Sequence, residues 1–128
     1  MIGTVVAGIL ASTAPVSSAE RVAMLDTARR PVVRQLGKPV KFLVRTLNRD
    51  GDWAFLVATM QDAQGRPISY AGTPLASAEA EGMISKDYVA LLQRSGGRWR
   101  VVDQAVGPTD VAWEGWAARY GAPAGLFR

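Results

Sequence analysis

Cysteine and histidine are both absent from this chain of 128 residues. Without cysteine the protein has no disulfide and no thiolate nucleophile, and without histidine it has no imidazole base and no Ser-His dyad. The nitrogen and sulfur ligands on which zinc and haem sites depend are missing as well. We therefore expect no cofactor and a fold whose stability comes from the hydrophobic core alone.

Acidic residues are in the minority, with 11 Asp and Glu against 15 Lys and Arg and a net charge of +4. This excess favours anionic partners in general, but the arginines are spread along the chain, which is typical of a solvated surface. The chain also lacks the glycine motifs that bind phosphate groups. With no fold-specific nucleic-acid motif in the chain, we expect no nucleic-acid partner.

Long hydrophobic runs are lacking too. The apolar segment 1–10 is too short for a membrane-spanning helix, which needs about 20 residues. It is typical of a signal peptide, and Ser17-Ser18-Ala19 supplies the small residues of a cleavage site. We interpret residues 1–19 as a signal peptide and expect a periplasmic or secreted protein with no transmembrane span in its mature chain. Since no Lys or Arg precedes the run, the alternative is a buried N-terminal element of a cytosolic domain.

Residues 20–36 have helical periodicity. The residues expected on the buried face are Val22, Leu25, Val32 or Val33, and Leu36. Pro31 predicts a kink or two abutting helices, because its ring clashes with the preceding turn. The segment Ser17 to Glu20 also matches a capping box with Ser17 as the N-cap.

Two β-hairpins are predicted after this helix. Segments 40–47 and 53–61 flank Asp50-Gly51, and segments 86–94 and 98–106 flank Gly96-Gly97, two dipeptides that favour tight turns. With Asp50-Gly51 as the loop, one face of the first hairpin is wholly apolar and is expected to pack on the helix. It comprises Phe42, Val44, Phe55 and Val57. A short strand is also expected at 68–70.

A C-terminal helix is predicted from Thr109, as its N-cap, to Tyr120, with Gly121 ending it. Trp113, Trp116 and Tyr120 share one face of this helix. The predicted fold is therefore α+β, with a kinked N-terminal helix packed on a curved antiparallel sheet of about four strands, plus this aromatic helix. Residues 20–128 are expected to form one roll-like domain.

The chain resembles a family of small, uncharacterised exported bacterial proteins with a cystatin-like or nuclear-transport-factor-like α+β roll. The segments that carry the resemblance are Ala28-Arg29-Arg30-Pro31, Leu36-Gly37-Lys38-Pro39-Val40-Lys41-Phe42, Asp52-Trp53-Ala54-Phe55, Gly96-Gly97-Arg98-Trp99 and Gly107-Pro108-Thr109-Asp110-Val111. The resemblance implies the fold and export. It implies no function, because the family has no assigned activity.

Asp103 is a candidate catalytic acid, with Tyr88 as its expected diagonal cross-strand neighbour. On an apolar wall its carboxylate would have a raised pKa and could act as a general base. Alternatively, Asp103 pairs with Arg94, Arg100 or Arg45, or lies on a solvated edge of the sheet.

Two groups of aromatic and basic residues are candidate binding surfaces. Trp113, Trp116 and Tyr120 could stack on a ligand or contact a partner, or they could be core that covers the second face of the sheet. Arg94 opposite Trp99 could bind an anionic chain, or form a cation–π pair on an exposed hairpin.

The leading functional hypothesis is a non-enzymatic periplasmic or secreted module that binds a partner protein, an envelope component or a small apolar ligand. The alternative is a small enzyme or carrier that uses Asp103 in a pocket of the roll. A filled core that includes Trp113 and Trp116 would favour a protein-interaction or structural role. Apolar residues on both sheet faces also allow a homodimer.

Overall fold

The computed structural model describes residues 16–128, so most of the predicted signal segment, residues 1–19, lies outside the described residues. The elements in chain order are helix α1 (Ser18–Leu36), strands β1 (Lys41–Asp50) and β2 (Trp53–Gln61), helix α2 (Ala76–Ala80), strands β3 (Asp87–Ser95) and β4 (Arg98–Val106), helix α3 (Trp116–Tyr120) and a 3₁₀ turn (Ala124–Phe127). The strands form one antiparallel sheet in the order β1-β2-β3-β4. The predicted α+β class is confirmed. None of the helices in the described part of the chain has the length and apolar character needed to cross a membrane.

Helix α1 begins with the predicted cap. The backbone N–H of Glu20 donates to Ser17 Oγ at 3.2 Å, which satisfies one of the free amides of the first turn. Pro31 lies inside the helix without dividing it into two, and Gly37 ends it in the left-handed conformation at φ 68°. The cap and the first turn of α1 thus include Ser17, Ser18 and Ala19, the residues expected to precede a cleavage site.

The buried stripe of α1 agrees with the predicted one at Val32 and Leu36 and differs nearer the N-terminus. Met24, Ala28, Val32 and Leu36 face the sheet at a spacing of four residues. Val22, expected in the core, is 59% exposed. The periodicity of α1 allows either of two neighbouring apolar faces to be buried. The face that carries Met24 is the one that packs on the sheet.

The first hairpin forms, but its register differs from the predicted one. Asp50 pairs with Trp53, so the loop is Gly51-Asp52 rather than Asp50-Gly51. A bulge at Arg45 then shifts the pairing, so that Val44 lies opposite Ala58 and not opposite Val57. An extra residue in one strand reverses which face the side chains beyond it occupy.

The prediction that Phe42, Val44, Phe55 and Val57 share one face is therefore wrong. Phe42 and Val44 pack with α1 in the first core cluster, whereas Phe55 and Val57 lie in a second cluster. The second cluster is completed by the C-terminal residues. Both faces of the sheet are thus covered by the chain itself, α1 on one face and residues 113–127 on the other.

The second hairpin has the predicted Gly96-Gly97 loop, and Arg94 pairs with Trp99 as expected. Beyond Val101 the register shifts, so Asp103 lies opposite Leu91 and not opposite Ala90. The extra residue, Val102, packs into the second cluster. Asp103 is therefore not on the face predicted for it.

The C-terminal helix is shorter than predicted. Residues 109–115 form bends and turns, and α3 comprises only Trp116–Tyr120, with Gly115 and not Thr109 preceding it. Gly121 ends it in the left-handed conformation, as expected. Irregular backbone between Pro108 and Trp116 lets Trp113 lie 6.0 Å from the ring of Phe55, measured between centroids.

The connection between β2 and β3 is anchored by side chains and not by the strand predicted at 68–70. Only one isolated bridge, between Gln61 and Pro67, forms there. Tyr70 is fully buried, its hydroxyl donates to the carbonyl of Ser85 at 2.5 Å, and burial raises its pKa to about 12. Residues 68–70 therefore contribute to the core, through Ile68 and Tyr70, although they form no strand.

The Ser17 cap is expected to stabilise helix α1, and a single substitution tests this. We expect Ser17→Ala to lower the free energy of unfolding by about 1 kcal/mol, because the amide of Glu20 loses its acceptor. Ser18→Ala, one residue further and inside the first turn, is the matched control and should change stability by only a few tenths of a kcal/mol, about the difference in helix propensity. Urea unfolding followed by circular dichroism measures both. Equal effects of the two substitutions would contradict a role for the Ser17 hydroxyl.

Candidate functional site

An open groove runs between α1 and the edge strand β4. Its main part has a volume of about 600 Å³. The helix side is formed by Thr27, Arg30, Pro31 and Arg34. The strand side is formed by residues 99–104. A neighbouring depression of about 340 Å³ extends the groove toward the turn at Gly97 and Arg98.

Four exposed arginines border this groove. They are Arg30 and Arg34 from α1, and Arg98 and Arg100 from β4. None of the four forms an ion pair with any residue in the 16–128 range, although Arg100 donates to the Gln93 side chain at 2.8 Å. Residues 1–15 contain no Asp or Glu.

Two carboxylates also line the groove, Asp103 in its main part and Asp26 in the neighbouring depression, and neither forms an ion pair with the four arginines. Asp26 accepts from Arg29 on its own helix at 2.7 Å, and Asp103 accepts from the hydroxyl of Tyr120 at 2.6 Å. The groove therefore carries an excess of positive charge, with four arginines against two carboxylates, each of which is hydrogen-bonded to another side chain. Such a surface attracts anionic groups over several ångströms.

Arg94, one of the predicted binding residues, is instead part of an ion-pair network. It donates to Glu20 at 3.1 Å and to Asp52 at 2.9 Å, and Glu20 also pairs with Arg49. The network joins the first turn of α1 to strands β1 and β3 and to the first hairpin loop. Its side chains are between 21% and 32% exposed, apart from Asp52 at 60%.

Trp99 lies beside this network. The guanidinium carbons of Arg49 and Arg94 lie 5.8 Å and 5.6 Å from the centre of its ring. Both guanidinium groups thus form cation–π contacts with Trp99. This agrees with the alternative in which Arg94 and Trp99 form a cation–π pair and not a binding surface. This pair closes the end of the first core and leaves the neighbouring Arg98 and Arg100 as the exposed charges.

Asp103 and Tyr88 are not brought together. Asp103 lies on the sheet face that packs on the C-terminal residues, where it accepts from Tyr120 and lies 3.8 Å from Arg119. Tyr88 lies on the α1 face, where its hydroxyl donates to Gln104 at 2.6 Å. An acid/base role required Asp103 in an apolar cavity away from arginine, and the geometry does not meet that condition.

Tyr88 is a core residue. It is fully buried, and its ring stacks on Phe42 with 5.0 Å between centroids. Burial raises the pKa of its phenol, so the hydroxyl stays protonated and donates a hydrogen bond at neutral pH. This side chain fixes the position of the fourth strand through Gln104.

The aromatic stripe is mainly core. Trp116 is only 3% exposed and packs with Phe55, Val89 and Leu91 on the second face of the sheet. Trp113 and Tyr120 are half-buried at the margin of the same cluster. Asn48 fastens this segment to β1, because its side-chain amide donates to the carbonyl oxygens of Leu126 at 2.8 Å and Arg128 at 2.9 Å.

Sequence reasoning did not join the four groove arginines into one surface. Arg30 and Arg34 are four residues apart and share a flank of α1, and Arg98 and Arg100 alternate along β4. Those spacings are visible in the sequence. The placement of that flank beside the last strand is not, because it depends on how α1 lies on the sheet.

Comparison with family models, with curated proteins and with solved structures found no match to this chain.

Loss of the ion pairs of Glu20 is expected to lower the stability of the protein. We expect Glu20→Gln to lower the free energy of unfolding by about 1 kcal/mol, because a neutral amide cannot compensate both Arg49 and Arg94. Asp26→Asn is the control: it removes a carboxylate from the same helix, but its pair with Arg29 is exposed and worth about 0.5 kcal/mol or less. Thermal unfolding at low and high salt measures both. A smaller loss for Glu20→Gln than for Asp26→Asn would contradict the network.

Proposed function

We propose that this protein is a non-enzymatic binding module that uses the groove between α1 and β4 to hold a partner protein. The observation that carries the proposal is the set of four exposed arginines around one groove with no ion-pairing acid in residues 16–128. Surface arginines of a folded domain commonly find carboxylates nearby, as Arg29, Arg45, Arg66 and Arg94 do here. An acidic surface of a partner would supply the missing charge.

The filled interior supports a protein partner over a small apolar ligand. Large side chains such as Tyr70, Tyr88, Met60 and Leu56 are fully buried between the sheet and the elements that cover it. Trp116 occupies the second face in the same way. A ligand inside the roll would have to displace these side chains, whereas the groove is open to a macromolecule.

The sheet faces themselves do not support a homodimer. The apolar residues that suggested one, such as Phe55 and Leu91, are buried under the chain's own C-terminal segment. We therefore place the binding surface at the edge of the sheet and not on either face.

We also propose that the protein is exported and belongs to the exported bacterial family that it resembles. The apolar run 1–10 and the small residues before Glu20 support export. The order of one helix and a four-stranded antiparallel meander agrees with the roll expected for that family.

Site-specific photo-cross-linking in the native host tests the binding function. Ala23, which is exposed and borders the groove, is replaced by benzoylphenylalanine, and Ala80 on α2, also exposed, is the matched control. We expect an adduct with one identifiable acidic protein from position 23 only. The adduct should be lost in a chain that also carries Arg30→Gln and Arg34→Gln, because the groove then loses two of its four arginines.

Three results would contradict the proposal: no adduct from position 23, the same adduct from position 80, or an adduct unaffected by the arginine substitutions. Thermal unfolding of the double variant provides the folding control. Neither arginine has an ion pair in the described chain, so its melting temperature should match that of the parent protein.

The N-terminus of the native protein tests export. We expect mass spectrometry of the protein from the periplasm or medium to show a chain shortened at its N-terminus. A start at Glu20 would lack the Ser17 cap, so such a chain should be less stable by about 1 kcal/mol than one that begins at Val16. An intact N-terminus on a protein confined to the cytosol would contradict export.

A further inference from the structure

The groove follows the edge of β4 along its length. Six consecutive residues of this strand, 99–104, border it. Successive side chains of a strand point to opposite faces of the sheet, so a groove on one face would be lined by every second residue. A run of consecutive residues is what a groove that follows the edge of the strand, beside its backbone, would give.

Strand β4 is an edge strand among the described residues, since it pairs with β3 only. An edge strand presents unpaired backbone N–H and C=O groups on its outer side, and an extended segment from another chain can pair with them. The side chains of residues 101–106 are half-buried, which agrees with a strand that has no neighbouring strand of the described chain at its outer edge.

The four arginines lie on both sides of this edge. Arg98 and Arg100 alternate with Trp99 and Val101, which pack toward α1, so the two arginines belong to the opposite face. Arg30 and Arg34 approach the groove from α1. A strand placed in the groove would therefore have cationic groups near the side chains on each of its faces.

We propose that the partner presents an extended acidic segment, which adds to β4 as a fifth strand of the sheet. This inference rests on the proposed protein-binding function and specifies how the groove would bind. Residues 99–104 span about 20 Å at the rise of a β-strand, which suits a segment of about six residues. Backbone pairing supplies affinity, and carboxylates directed to the two faces meet Arg30 and Arg34 on one side and Arg98 and Arg100 on the other.

A nucleic acid fits the groove less well. Single strands bind to proteins by stacking their bases on exposed aromatic rings along a basic channel. Trp99 is the aromatic residue of this groove, and the guanidinium groups of Arg49 and Arg94 already lie over its ring. The groove offers a backbone edge and charge, which are the requirements of an acidic strand.

The probe is the synthetic acetylated peptide Glu-Glu-Val-Thr-Val-Glu-Glu with an amidated C-terminus. Titration followed by nuclear magnetic resonance gives its affinity, and hydrogen exchange gives the protection of the amides at 99–104. We expect at least about tenfold slower exchange for the outward amides of β4 at saturation, because they become hydrogen-bonded. Gln104 is left out of this comparison, because its amide already donates to Asp103 Oδ1 at 2.8 Å. A peptide N-methylated at Val-Thr-Val should bind at least about tenfold more weakly, because it cannot donate to the strand.

The charge contribution is tested with a matched pair of double variants. Arg34→Gln with Arg100→Gln should weaken peptide binding by about tenfold or more, since it removes one arginine from each side of the groove. Lys41→Gln with Arg128→Gln makes the same change in net charge at exposed positions that do not border the groove, and should change affinity by less than about twofold.

The outcomes separate the binding mode from the function. One outcome would overturn strand addition and leave the groove as a protein-binding site. In that outcome peptide binding depends on Arg34 and Arg100, but the amides of β4 gain no protection and N-methylation of the peptide does not change its affinity. Equal losses in the two double variants, or no peptide binding at all, would overturn the acidic segment. The proposal of a protein partner would be overturned as well if a single-stranded oligonucleotide, or vesicles containing phosphatidylglycerol, bound more tightly than the peptide and depended on the same arginines.

Discussion

The arrangement of this protein depends on two β-bulges, one in each edge strand of the sheet. The bulge at Arg45 separates Phe42 and Val44 from Phe55 and Val57, and the shift at Val102 moves Asp103 to the second face. Each bulge adds one residue to a strand and so reverses the direction of the side chains beyond it. The central strands β2 and β3 carry apolar residues on both faces of the sheet, so each face requires its own cover.

The two ends of the described chain cover the two faces of the sheet. Helix α1 packs on one face, and the segment with Trp116 and Leu126 packs on the other. Once both faces are closed, the accessible polar groups of the sheet are those of its edges. One edge, β1, is fastened to the C-terminal residues through Asn48. The other, β4, borders the groove with its arginines, and this is why we propose an edge of the sheet, and not a face, as the binding surface.

Local signals in the sequence predicted local structure well. The Ser17 cap, the ends of β2 and β4, the Gly96-Gly97 turn and the helix stop at Gly121 were all predicted from a few adjacent residues, because hydrogen bonding and φ preferences act over that range. The expected proximity of Asp103 and Tyr88 was wrong for a related reason. Placing Asp103 beside Tyr88 assumed an unbroken alternation along β4, whereas Val102 is an extra residue that shifts the register before Asp103.

The amino-acid sequence by itself determined the α+β class, the two hairpins and the excess of arginine over acidic partners. These properties follow from periodicity, turn residues and composition, which need no knowledge of distant contacts. Only the tertiary structure decided that Glu20 joins α1 to Arg49 and Arg94, and that Arg30 and Arg34 lie across a groove from Arg98 and Arg100. Those contacts join residues far apart in the chain, and they exist only when the packing of α1 on a bulged sheet sets which side chains meet.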